Sequence, residues 1–115
     1  MKFALLIYGA EAQWDALDDA AQADVIGQHG AYTEALTAAK ALVAGEPLAP
    51  SATAKRVTDA GVVDGPYADT KEQLGGFYII EAADEASALD WAARCPRLPG
   101  DQIEVRQAPD FGGES

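Results

Sequence analysis

The chain has 115 residues, which is the usual size of one folded domain and leaves no room for a separate cofactor-binding domain. Hydrophobic residues make up 49% of it and charged residues 23%, so the composition is that of a globular protein and excludes a disordered chain. The 19 acidic residues outnumber the 8 basic ones, and the resulting net charge of −11 makes nucleic acids and anionic membranes poor partners.

Cys95 is the only cysteine, which excludes an intrachain disulfide and the zinc motifs that need paired cysteines. A reducing compartment is therefore expected. The apolar run at the start of the chain ends at Tyr8, and no run approaches the roughly 20 residues that cross a bilayer. We expect a soluble cytoplasmic protein that forms a single domain over residues 1–115.

The first predicted strand covers residues 2–8, which are apolar on both faces, as in a central strand. After a break at residues 9–14, an Ala-rich helix is expected from Asp15 to Gly45, where glycine suits the position after a helix end. An apolar stripe on this helix has the three- and four-residue spacing of one helical face and consists of Val25, His29, Tyr32, Leu36, Ala39 and Val43. The stripe faces a core or a partner.

A hairpin is predicted next, with strands over residues 52–58 and from Val62 onward. The sequence Asp64-Gly65-Pro66-Tyr67 then indicates a shaped loop, because proline fixes its own φ and Asp64 can accept hydrogen bonds from neighbouring amides. This loop is expected to run to Gly75-Gly76, where a strand at residues 77–80 begins.

The chain ends with a predicted short helix and a last strand. Asp84 suits the N-cap of the helix, Ala86, Leu89 and Ala93 are expected on its inward face, and Pro96 ends it. The side chains of residues 103–107 alternate in polarity, as in a strand with one solvent-exposed face, and residues 109–115 are expected to fray. The element order predicts an α+β fold, a ferredoxin-like plait whose antiparallel sheet carries both helices on one face.

The opposite face of this sheet needs a cover, because the apolar residues of the two central strands cannot all lie beneath the helices. A second copy of the chain that pairs sheet to sheet would supply it. We therefore expect a homodimer.

His29 is the only histidine and lies on the apolar stripe. A neutral, hydrogen-bonded core imidazole is the common structural interpretation, and a general base tuned by burial and a nearby carboxylate is the functional one. Asp64 has the same two interpretations. It either nucleates its turn or, if its loop folds over His29, orients the imidazole and stabilises the imidazolium.

Weaker candidates surround this pair. Lys71 is a candidate for holding an anionic group, although a solvated loop is the commoner role, and Tyr8, Tyr67 and Tyr78 are candidates for lining a small-molecule pocket with their hydroxyls. One histidine among scattered acids makes a poor metal site, and Gly75-Gly76 precedes a strand instead of a phosphate-binding helix. We therefore predict no metal and no cofactor.

Residues 64–78, with the sequence DGPYADTKEQLGGFY, resemble the YCII-related family in the branch named for its Asp-Gly-Pro-Phe motif. The similarity extends to the opening strand, to Trp14 and His29, and to the segments at residues 91–96 and 103–106. Tyr67 stands where the motif has Phe and adds a hydroxyl group. The resemblance implies a dimeric ferredoxin-like α/β barrel and an active-site pair in which His29 and Asp64 take the histidine and aspartate positions.

The resemblance leaves the reaction largely unassigned and gives two hypotheses. The first is cofactor-free acid-base chemistry of a lyase-like kind on a small organic molecule, because the wider superfamily includes an elimination-type lyase branch. The second is a non-catalytic dimer that senses a small molecule or contacts a transcription-related protein partner, because relatives of this branch occur beside or fused to sigma factors.

Overall fold

The computed structural model describes residues 1–111, so part of the expected frayed end lies outside the described residues. In chain order its elements are β1 (Lys2–Ala10), α1 (Glu11–Asp15), α2 (Asp19–Ala38), β2 (Leu42–Pro47), β3 (Lys55–Thr58), β4 (Gly61–Asp64), β5 (Glu72–Glu81), α3 (Glu85–Arg94) and β6 (Gln102–Ala108). A 3₁₀ turn at Ser51–Thr53 leads into β3.

Four of these strands form one antiparallel sheet in the order β2-β5-β1-β6, and β3 pairs with β4 in a separate hairpin. Helix α2 connects β1 to β2, and α3 connects β5 to β6. With the hairpin set aside, this connectivity and strand order fit a ferredoxin-like plait. The predicted α+β class with an antiparallel sheet is confirmed.

The core lies between one face of this sheet and the two long helices. It is built from the helix-facing residues of β1 and β5 together with residues of α2, α3 and the segments that follow them: Phe3, Leu5, Tyr78, Ile80, Tyr32, Leu36, Ala41, Ala88, Ala92 and Cys95. Leu5, Leu36 and Ile80 are fully buried, and each such side chain contributes about 1.5–3 kcal/mol to folding. Both helices therefore pack on the same face of the sheet, as predicted.

The first long helix is shorter than its sequence pattern suggests. Asp18 caps α2 by accepting a hydrogen bond from the Ala21 amide at 2.8 Å, and the helix ends at Ala38. Lys40 then takes a left-handed conformation with a φ of 57°. The predicted helix from Asp15 to Gly45 is wrong at both ends. Its predicted end is too late because the three- and four-residue spacing of the apolar stripe continues by chance into β2, which joins the sheet beside β5.

Three further predictions need adjustment. Strand β5 begins at Glu72 and includes Gly75 and Gly76, so the predicted loop is too long. The hairpin is confirmed, but residues 51–53 form a 3₁₀ turn instead of the start of its first strand. The inward face of α3 is carried by Ala88 and Ala92, whereas Leu89 is 50% exposed, because the helix is rotated relative to the predicted pattern.

Candidate functional site

A cavity of about 790 Å³ opens between α2, the ends of β1 and β5, strand β2 and the loop after α3. This volume is in the range of pockets that hold small organic molecules. Much of its wall is apolar and includes Ile7, Trp14, Val25, Ile26, Leu48 and Leu98. The cavity therefore offers a concave, mostly hydrophobic surface on which a few polar groups stand out.

His29 and Tyr78 form the central polar contact of this cavity. The Nδ1 atom of His29, on α2, lies 2.8 Å from the phenolic oxygen of Tyr78, on β5, and both residues line the cavity. Their rings are nearly parallel, at 16°. Tyr32 packs edge-on against Tyr78 with ring centroids 5.1 Å apart, so the phenol is fixed from the core side.

Gly45 gives the Tyr78 ring the room that it occupies. Gly45 pairs with Tyr78 across β2 and β5, and a Cβ atom at Gly45 would lie 2.6 Å from a carbon of the Tyr78 ring. Any larger side chain at Gly45 would force the Tyr78 ring or the strand to shift. The glycine expected at a helix end therefore lies in a strand and shapes the site.

Burial sets the protonation states of the His29–Tyr78 pair. It lowers the pKa of His29, because a partly desolvated imidazole holds its charge poorly, and it raises the pKa of Tyr78, which the Thr33 hydroxyl opposes in part. Near neutral pH the pair is thus a neutral imidazole and a protonated phenol, and either one can donate the shared hydrogen bond. Within residues 1–111, the contact with Tyr78 is the only hydrogen bond of His29.

Two carboxylates at the cavity hold its loops in place. Glu11 accepts hydrogen bonds from the Ser51 amide at 2.7 Å and from the Ser51 hydroxyl, and these bonds lower the pKa of Glu11. Asp101 accepts a bond from the Leu98 amide at 3.1 Å and approaches Gly9 so closely that a Cβ there would overlap its carboxylate. Sequence reasoning missed both acids, because their hydrogen-bond partners lie in turns with no motif of their own.

Asp64 lies away from His29 in the contacts that the structure gives. It ends β4, and its Oδ1 atom lies 2.6 Å from the Lys55 ammonium group on β3, with the two side chains 83% and 63% exposed. The next residue, Gly65, has a φ of 101°, which explains the glycine of the motif. In the part of the chain described here, His29 is bonded to Tyr78 and Asp64 to Lys55, so the two residues of the expected dyad are not brought together.

The other predicted binding residues are dispersed. Tyr8 alternates with the cavity-lining Ile7 along β1 and so lies on the opposite sheet face, Tyr67 is 93% exposed, and Lys71 is exposed before β5. The loop that carries Tyr67 and Lys71 is held by buried Gln73, which donates to the Ala68 and Thr70 carbonyls. Of the predicted site residues, the structure brings together His29 and Tyr78.

Residues 1–111 contain no group of three or more His, Cys, Asp or Glu side chains arranged to hold a metal ion. No helix in the same part of the chain is long and apolar enough to cross a membrane.

Comparison with known proteins places the chain in a family. The model of the YCII-related domain matches residues 1–111, which is nearly the whole chain. An uncharacterized protein of Rhizobium meliloti (strain 1021) is 61% identical over 31 residues, which are 27% of this chain and 25% of that protein. The chain thus matches about a quarter of that relative's length. From the match over residues 1–111, the chain belongs to the YCII-related domain family.

Proposed function

We propose that this protein carries out cofactor-free acid-base chemistry on a small organic molecule, with His29 as the proton acceptor and donor and Tyr78 as its positioning residue. The observation that carries the proposal is the 2.8 Å hydrogen bond between these side chains at the wall of a cavity of about 790 Å³. A neutral imidazole beside an apolar binding surface is the form in which histidine accepts a proton near neutral pH.

The direction of the hydrogen bond determines what the imidazole does. In the proposed arrangement the Nδ1–H group of His29 donates to the Tyr78 oxygen, which leaves the lone pair of Nε2 for the ligand. Nε2 then takes a proton from a carbon next to a carbonyl group, and the electron pair of the broken C–H bond stays on the ligand as an enolate. The imidazolium returns the proton to the ligand or, in an elimination, to the leaving group. Such proton transfer contributes roughly 10²–10⁴-fold to a rate.

A homodimer is part of this proposal. The strand register places Leu6, Tyr8, Phe77 and Ile79 on the sheet face opposite the helices, and none of them belongs to the hydrophobic core of residues 1–111. A second copy is the cover that we propose for this face. The proposal does not use the His29–Asp64 dyad implied by the family resemblance, because in the described chain Asp64 is bound to Lys55 and His29 to Tyr78.

Proton abstraction can be tested before a substrate is known. A panel of small ketones and aldehydes is incubated with the protein in D₂O, and deuterium uptake next to the carbonyl group is followed by NMR. We expect uptake with the wild type and its loss in His29→Gln, with Asp64→Asn as a control that keeps the activity. Uptake that is equal in His29→Gln would contradict the proposal. A ligand that binds without any exchange would favour the sensing or regulatory alternative.

A further inference from the structure

We infer that the ligand of the His29 cavity carries no negative charge and is a neutral or cationic, largely apolar molecule. This inference rests on the proposed function, because it names the ligand class of the same cavity. It is based on the charges of the ionisable side chains that line the cavity.

The cavity wall has an excess of carboxylates. Glu11, Asp15 and Asp101 are among its lining residues, and Arg97 is the one basic residue of that lining in the described chain. His29 adds no positive charge, because burial lowers the pKa of this imidazole. The chain as a whole carries a net charge of −11, so the wider field has the same sign as the local one.

The guanidinium group of Arg97 donates hydrogen bonds within the fold. Its Nη1 atom donates to the Cys95 carbonyl at 3.0 Å and to the Ala92 and Ala93 carbonyls at 3.4 and 3.3 Å. These carbonyls belong to the C-terminal end of α3, which carries the negative end of the helix dipole. This part of the guanidinium therefore compensates the helix end, and the single cation is outnumbered by the carboxylates at the cavity.

Glu11, in contrast, stays charged because its hydrogen bonds lower its pKa. The two hydrogen bonds from Ser51 keep Glu11 ionised, and the amide of Leu98 donates to Asp101. An anionic ligand would have to enter an apolar cavity against a net excess of carboxylates. Ketones, phenols and amines fit the cavity by charge, whereas carboxylates, sulfonates and phosphate esters do not.

Two fluorescent probes with one ring system test this inference. N-phenyl-1-naphthylamine is neutral, and 1-anilinonaphthalene-8-sulfonate has the same aromatic skeleton with one added negative charge. Binding is measured by fluorescence titration at low ionic strength, and the NMR signals of His29 report whether the probe occupies its cavity. We expect the neutral probe to bind at least about tenfold more tightly than the sulfonate and to shift the His29 signals. Added salt should reduce this difference in affinity between the two probes.

A pair of charge variants separates the local effect from net charge. Asp15→Asn removes one carboxylate from the cavity wall and is expected to reduce the difference in affinity between the two probes. Asp59→Asn changes the net charge equally at an exposed position that does not line the cavity, and is expected to leave most of that difference in affinity. Tighter binding of the sulfonate, with shifted His29 signals, would overturn the charge class and leave the proposed site intact. Failure of both probes to shift His29 would overturn the inference and count against the site itself.

Discussion

His29 and Tyr78 are 49 residues apart in the chain, yet the His29 Nδ1 atom lies 2.8 Å from the phenolic oxygen of Tyr78. The contact requires α2 to lie across β5 in one rotation, which the buried Tyr32 sets by packing against Tyr78 one helical turn after His29. It therefore couples the packing of the core to the proton chemistry of the cavity.

Gly45→Ala is expected to disturb both the fold and the site. The added Cβ would meet the Tyr78 ring at 2.6 Å, so the free energy of unfolding should fall by about 1–3 kcal/mol, the usual cost of overpacking. Urea unfolding measures this loss, and the NMR signals of His29 should shift in the folded variant. Gly27→Ala is the matched control, because its Cβ meets nothing within 4 Å on α2 and should stabilise the helix by about 0.5–1 kcal/mol. Equal stability of the two variants would count against the packing described for Tyr78.

His29 should make the protein less stable in mild acid. Burial lowers the pKa of His29 in the folded chain below its unfolded value of about 6.5. Between the two pKa values the unfolded chain binds a proton that the folded chain does not, so the free energy of unfolding falls as pH drops below about 6.5 and levels off below the folded pKa.

Urea unfolding of the wild type and His29→Gln near neutral pH and at about pH 5.5 isolates this contribution, because the carboxylates titrate in both proteins. We expect the wild type to lose more stability on acidification than His29→Gln. A smaller loss in the wild type would mean that the folded pKa is raised, as in a pair with a carboxylate.

Cys95 should be unreactive in the folded protein. Its side chain is 2% exposed, and burial raises the pKa of the thiol to about 11, so little thiolate forms near neutral pH. A disulfide reagent at about pH 8 should label it slowly in the native state and rapidly in urea. Rapid, stoichiometric labelling of the native protein would contradict the buried position.

A charged residue at the centre of the sheet face opposite the helices should disrupt the proposed dimer. Ile79→Lys should convert a dimer into a monomer in sedimentation velocity, because a desolvated ammonium at a sheet-to-sheet interface has no partner there. Leu89→Lys on the exposed side of α3 is the control that should keep the dimer. A wild-type protein that sediments as a monomer at micromolar concentration would contradict the dimer.

Much of the fold could be predicted because its signals are local. The apolar runs of β1 and β5 identify the central strands, and Asp84 caps α3 by accepting a bond from the Ser87 amide at 2.8 Å. The end of α2 carries no such signal. Lys40 takes the left-handed conformation because β2 joins the sheet, and that pairing depends on distant residues.

The candidate site is harder to predict, because its contacts join residues that are distant in the chain. The spacing of the apolar stripe places His29 on the inward face of its helix, and Tyr78 was among the aromatic candidates. Their pairing depends on strand register and helix rotation, which no local pattern of sequence fixes. The role of Gly45 likewise follows from its cross-strand neighbour, and the sequence alone indicates a helix end.

The most direct test of the account is an NMR pH titration of the single imidazole in the wild type, Tyr78→Phe and Asp64→Asn, with ¹⁵N shifts to identify the tautomer. We expect a wild-type pKa of His29 below about 6.5 and an Nδ1–H tautomer. In Tyr78→Phe the pKa should fall further, because the imidazolium loses its acceptor, and in Asp64→Asn it should not change. A pKa of His29 above about 6.5 that falls in Asp64→Asn and is unchanged in Tyr78→Phe would contradict the proposed His29–Tyr78 pair and establish a His29–Asp64 pair in its place.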